Sequence, residues 1–129
     1  MLHNENNQAL AEYLQGIKAG DAVYILRVRM HYRVKVSRVT KTQIVCGHVR
    51  FLKNSGRSVA HTGVYCSSIV LPTPDVIEQA RKNFLNEWAV NTLPGEFMTL
   101  NLAQKEQVFR LARDLLKSNR ESQAEGVTP

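Results

Sequence analysis

Cysteine is scarce in this chain, with two in 129 residues, as are proline with four and tryptophan with one. Two thiols, Cys46 and Cys66, do not make a disulfide scaffold, and a chain of this length can bury a single core without staples. No apolar run approaches the roughly 20 residues that a membrane helix requires, so no span is expected. The opening stretch, Met1 to Asn7, has neither a basic n-region nor an apolar h-region, so no secretory signal is read there. The expected location is therefore cytoplasmic, with both thiols reduced. Glycine-rich phosphate loops, paired-carboxylate motifs and nucleophile elbows are all missing, and the expectation is a protein that is not an enzyme and uses no cofactor.

One further shortage is local. Between Asp21 and Pro72 there is one acid, Asp21 itself, against nine cations, giving that segment a net +8 while the rest of the chain carries −2. Charge this segregated argues for an acidic partner, either nucleic acid, DNA or RNA, or an acidic protein surface.

The same segment is crowded with β-branched and aromatic residues in alternation with the cations, and it predicts five short strands. Ala22 to Met30 reads as a strand with Tyr24, Leu26, Val28 and Met30 on one face and Arg27 and Arg29 on the other. Tyr32 to Thr40 repeats the pattern, with Tyr32, Val34 and Val36 inward and Arg33 and Lys35 outward. Between these two strands no glycine, proline or asparagine marks a turn, so the join is placed near Met30-His31. Gln43 to Cys46 and His48 to Lys53 follow, the latter with Val49 and Phe51 inward and His48 and Arg50 outward. Asn54-Ser55-Gly56 is the best hairpin signal, because glycine accepts the positive φ such a loop requires. Gly63 to Leu71 closes the series. Short strands joined by tight turns suggest a small closed barrel, which removes exposed edges.

Helices flank this segment. Leu10, Tyr13, Leu14 and Ile17 fall on one helical face ahead of Ala19-Gly20, and that stripe is expected to pack on the sheet. Thr73-Pro74-Asp75 opens a helix with a hydroxyl cap, a proline at the first position and an acid in the first turn. Ile77, Ala80, Phe84, Leu85 and Trp88 line it, with Trp88 read as a packing anchor. Leu93-Pro94-Gly95 turns the chain into a last helix, capped by Thr99 or by Asn101, with Asn101 and Gln104 at capping-box spacing, whose apolar arc includes Val108, Phe109, Leu111, Leu115 and Leu116. An arc that broad suggests burial on two sides, between barrel and neighbouring helix or across a homodimer seam. The expected fold class is α+β, a five-stranded antiparallel barrel with an N-terminal helix and a C-terminal helical hairpin. The expected organisation is a helix over 1–20, a basic barrel over 21–72, two helices over 73–118 and a disordered tail over 119–129.

Three sets of residues are candidates for function. Arg27, Arg29, Arg33, Lys35 and Arg50 share the outward parity of neighbouring strands, and Lys53 and Arg57 extend the set; arginine in that number favours bidentate grips on phosphate. His31 and His48 lie on the same parity. The alternative for this set is a solvated face that protects strands from aggregation. Tyr65 is the best exposed aromatic for stacking, and the scarcity of others favours backbone contact over base reading. The second set is Cys46, His48, His61 and Cys66, a tetrahedral zinc donor set in which Cys46 and His48 share a strand face. Their separation by one residue is tighter than zinc sites use, and buried cysteines with surface histidines are the preferred reading. The third is a Cys66 nucleophile with His61 or His48 as base, for which no orienting acid is at hand.

Lys18 to Ile25, Val34 to Val45 and Arg50 to Arg57 together resemble small SH3-like β-barrel proteins of bacteriophages and other mobile elements, over about residues 18–72. The resemblance implies a barrel and a phage or prophage origin. It carries no single activity. Proteins of such elements often bind and block host machinery, so it also implies an alternative to nucleic-acid binding, an inhibitor or adaptor docking on a host complex.

Overall fold

A computed structural model describes residues 2–59 and 67–127 of the chain. These divide into two compact units, Met1–Glu87 and Trp88–Pro129.

The first unit begins with α1, Leu2–Gln15. Its stripe behaves as the spacing predicts: Leu14 and Ile17 are buried, with Leu10 and Tyr13 packed beside them. The turn that follows is held by the Asp21 carboxylate, which accepts from the Lys18 backbone N–H at 2.9 Å. Gly20, at φ +93°, supplies the left-handed residue that lets its own N–H reach the Val36 carbonyl at 2.8 Å.

Six strands follow among the described residues: β1 Ala22–Arg27, β2 Met30–Lys35, β3 Arg38–Val39, β4 Gln43–Cys46, β5 Val49–Leu52 and β6 Ser67–Val70. They form two separate antiparallel sheets, ordered β2-β1-β6 and β3-β4-β5. Neither is closed, so the expected five-stranded SH3-like barrel is not what the chain forms. The reason lies in how little ladder joins the sheets. The segment after β5 makes one isolated pair with each side, Phe51 with Ser58 and Arg57 with Ser68, and β3 is two residues long. The inner faces nevertheless share one core. Val23 and Ile25 of β1, Ile69 of β6, Ile44 and Cys46 of β4, Phe51 of β5 and the linking Val36 pack there with Leu14 and Ile17 of α1.

The β1–β2 join falls two residues earlier than expected. Arg27 pairs with Met30, leaving Val28-Arg29 as a two-residue loop with both residues at positive φ, 47° and 68°. That is the backbone of the tight hairpin turn whose usual sequence is Asn-Gly.

Helix α2, Pro74–Glu87, completes the unit. Its start is as expected, the Thr73 hydroxyl accepting from the Val76 N–H at 3.3 Å. The helix packs along β2 through the buried Ala80, and the Asn83 side-chain amide donates to the His31 carbonyl at 2.9 Å.

In the second unit a π-helical turn, Trp88–Thr92, leads into α3, Leu93–Met98, and α4, Leu102–Val127. Pro94 therefore lies in the first turn of a short helix rather than in a bend. A reciprocal box caps α4: the Gln104 N–H donates to Asn101 Oδ1 at 2.8 Å, and the Asn101 N–H to Gln104 Oε1 at 3.0 Å. The helix runs on to Val127, through most of the stretch expected to be tail. Arg120, Glu121, Gln123 and Ala124 are all good helix formers, and propensity here prevails over low hydrophobicity. Trp88, expected to anchor packing, is exposed, and so in the single chain are the α4 side chains Phe109, Leu111, Leu115 and Leu116, which leaves the homodimer seam as the alternative for their burial.

Candidate nucleic-acid interface

Strand parity decides which cations can act together, and on β1 the observed parity is the reverse of the expected one. Val23 and Ile25 are buried, so Tyr24 and Leu26 stand on the outer face and Arg27 shares the inner parity at the end of its strand. The register sets Arg33 opposite Tyr24 and Lys35 opposite Ala22, on the outer face. Arg27 thus emerges on the opposite side of this sheet from Arg33 and Lys35. Arg29 belongs to neither face, because it occupies the turn. A single continuous surface carrying Arg27, Arg29, Arg33, Lys35 and Arg50 is therefore not formed, since β2 and β5 also lie in different sheets.

The second sheet gathers its cations better. Ile44 pairs with Phe51 and Cys46 with Val49 toward the core, which leaves Val45 and Arg50 facing out as a pair. Arg38 pairs with Val45 from the other side. Arg38, Val45 and Arg50 thus form one row across three strands, with Val45 covered although it lies on the outer face. Ser58, paired with Phe51, is buried, so its neighbour Arg57 also points outward. Arg57 borders a cleft shared with Leu52 and with Asn7 and Leu10 of α1. Lys41 lies in the β3–β4 turn and Lys53 in the turn after β5. Sequence reasoning counted Arg38 and Lys41 as cations without placing them at the site. The signal was the inward Val36 and Val39 on either side of Ser37-Arg38.

Ion pairing does not neutralise these groups. Among the described residues the ion pairs are Lys82 with Glu78 at 3.5 Å and Arg113 with Asp114 at 3.3 Å, and neither involves a cation of the strand region.

Arg33 has a different setting. It lines a cavity of about 550 Å³ between the outer face of β1–β2 and α2, together with Tyr24, Tyr32 and, from α2, Arg81, Phe84 and Glu87. The Arg81 guanidinium lies over the Phe84 ring, 5.2 Å from its centroid.

The metal and nucleophile sets are not assembled among the described residues. Cys46 faces the core, and burial raises its thiol above the usual range, which disfavours the thiolate that a zinc ligand needs. His48 does not share its strand face, because Gly47-His48 is the exposed two-residue turn between Cys46 and its partner Val49. No group of three His, Cys, Asp or Glu side chains able to hold a metal occurs among the described residues. His61, Tyr65 and Cys66 lie outside the described residues. Among those described, no helix is long and apolar enough to cross a membrane. Compared with protein-family models, curated proteins and solved structures, the chain matches none.

Proposed function

We propose that the protein binds nucleic acid, gripping phosphates with the outer face of β3–β4–β5 and the segment that follows it. The observation that carries this reading is the cross-strand row of Arg38 and Arg50, joined by Arg57 on the same face, with no carboxylate paired to any of them among the described residues. Like charges set this close repel, and a polyanion turns that cost into attraction. Arginine suits the task because its planar fork takes two phosphate oxygens at once.

With Lys41 and Lys53, about five cations are in reach of a duplex, so affinity is expected to fall with salt at a log–log slope of roughly −4 to −5. Reversing Arg38 and Arg50 to glutamate should weaken binding and flatten that slope by about 2 or more. An unchanged slope would refute the assignment.

A second reading, association of two copies through α4, is favoured by a separate observation. The apolar arc centred on Ala112 reads alike in both directions: Val108 and Phe109 precede it by the same steps at which Leu116 and Leu115 follow. Antiparallel pairing about Ala112 would set each of these side chains against an apolar partner, and Phe109, Leu115 and Leu116 are exposed in the single chain. Sedimentation at micromolar concentration tests it: a dimer that becomes a monomer in Leu116→Glu supports the pairing, and a monomeric wild-type chain sinks it.

A further inference from the structure

The cavity between β1–β2 and α2 plays no part in the phosphate grip just described, yet its lining is unusual for space left over from packing. Two guanidiniums converge on it from different elements. Arg33 comes from β2, placed beside Tyr24 by the strand register, and Arg81 comes from α2. Neither is in an ion pair among the described residues. Glu87 is the one acid of the lining, so the cavity keeps a net positive charge and one acceptor able to meet an N–H donor.

Aromatic rings supply the rest. Tyr24 comes from the outer face of β1 and Phe84 from the helix opposite, already carrying Arg81 over its face at 5.2 Å, while Tyr32, paired with the buried Ile25, borders the cavity from the inner parity of β2 and turns its ring to the core. A volume of about 550 Å³ lies within the range of small-molecule sites. It admits one planar ring with an attached anion and excludes a double helix.

We infer that this cavity receives a single nucleotide of a single-stranded nucleic acid, its base against Tyr24 and Phe84 and its phosphate on Arg33 and Arg81. The inference rests on the nucleic-acid reading above and adds to it a preference for unpaired strands. A base held in a duplex cannot present its ring faces to a pocket, whereas stacking on aromatic side chains is the usual grip on unpaired bases. An acidic peptide would satisfy the two arginines but would leave the rings without a planar partner. The Asn83–His31 hydrogen bond, which ties α2 to β2 at 2.9 Å, holds the two walls together before any ligand arrives.

The test uses the full chain and two labelled probes of one sequence, a single-stranded 10-mer and its duplex, followed by fluorescence anisotropy at low salt. Phe84 is 55% exposed, so Phe84→Ala should leave the fold intact, as an unchanged thermal midpoint would verify. That variant should lose at least about tenfold in affinity for the single strand and stay within about twofold for the duplex. Phe84→Trp should restore the loss, and Arg33→Gln should weaken the single strand more than the duplex. Arg38→Glu should weaken both probes. Equal losses on both probes in Phe84→Ala, or none on either, overturn the inference while leaving the phosphate grip standing if Arg38→Glu still acts. A wild-type chain that binds neither probe overturns both readings. Displacement of the single strand by poly-glutamate at matched charge would reassign the cavity to an acidic peptide and overturn the inference.

Discussion

Replacing Val28-Arg29 with Asn-Gly should make this protein more stable. Both residues are held in the left-handed region, Val28 at φ 47° and Arg29 at φ 68°. For residues with a side chain that conformation costs roughly 1–2 kcal/mol each, and a β-branched valine bears it worst. Val28 is 60% exposed, so its removal costs little buried surface. Asparagine tolerates the conformation through local hydrogen bonding, so Val28→Asn alone should gain about 1 kcal/mol. Arg29→Gly removes the remaining strain but adds roughly 0.5–1 kcal/mol of unfolded-state entropy, which makes its net gain smaller. The pair should therefore gain roughly 1.5–2 kcal/mol. Urea unfolding monitored by circular dichroism would show this as a higher midpoint with an unchanged slope. A midpoint that stays put or falls would mean that the turn is not strained or that Val28 makes contacts its exposure conceals. The single variants also separate stability from function. If Arg29→Gly weakens duplex binding where Val28→Asn does not, the cation is kept at the turn for its charge and not for the fold.

Other positions give equally direct outcomes. Gly56 combines φ +78° with a position where an added Cβ would lie 2.9 Å from the Ile69 carbonyl oxygen, so Gly56→Ala should cost more than about 2 kcal/mol in the same urea assay. Phe51 is fully buried at the centre of the core, and Phe51→Ala should cost about 3–5 kcal/mol, enough to lower the thermal midpoint sharply. Two acidic groups have raised values: burial lifts Cys46, and burial first, then the charges of Asp21 and Tyr24, lifts Tyr13. Because both folded values lie above the unfolded ones, near 8.5 for a thiol and 10 for a phenol, their contribution is complete below about pH 8.5 and is lost as pH rises through the folded values. The urea midpoint should fall on the alkaline side, and Tyr13→Phe should make that fall shallower. A variant profile identical to the wild type would remove Tyr13 from the account.

Much of the local structure was legible because single residues state it. The helical stripe from Leu10 to Ile17, the Thr73-Pro74 start of α2 and the Asn101–Gln104 box of α4 all appear where spacing and cap chemistry put them. The β1 parity was not legible, because apolar side chains occupy both faces from Val23 to Leu26 and alternation cannot then say which side is wet. With part of the outer face also covered by α2, Tyr24 had good reason to be apolar without being core, while Leu26 on the same face stays exposed. That ambiguity also misplaced the turn, since Val28-Arg29 carries none of the residues its backbone favours. The site suffered accordingly: Arg50 and Arg57 lie where a basic face forms, Arg27 does not join it, and Arg38 does. Sheet closure was beyond the sequence, because whether short strands wrap into a cylinder depends on ladders between distant segments rather than on any local pattern.

The short stretch from Gly56 to Val59 works as a suture between the two sheets. Its Arg57 carbonyl accepts from Leu52 and its Val59 N–H donates to Arg50 on one side; its Ser58 N–H donates to Ser67 and its Gly56 carbonyl accepts from Ile69 on the other. A polyanion that seizes Arg57 therefore pulls on the stitch itself, so occupancy of the basic surface should slow solvent exchange of the Ser58 and Val59 amides, and the molecule should become harder to pry open when loaded.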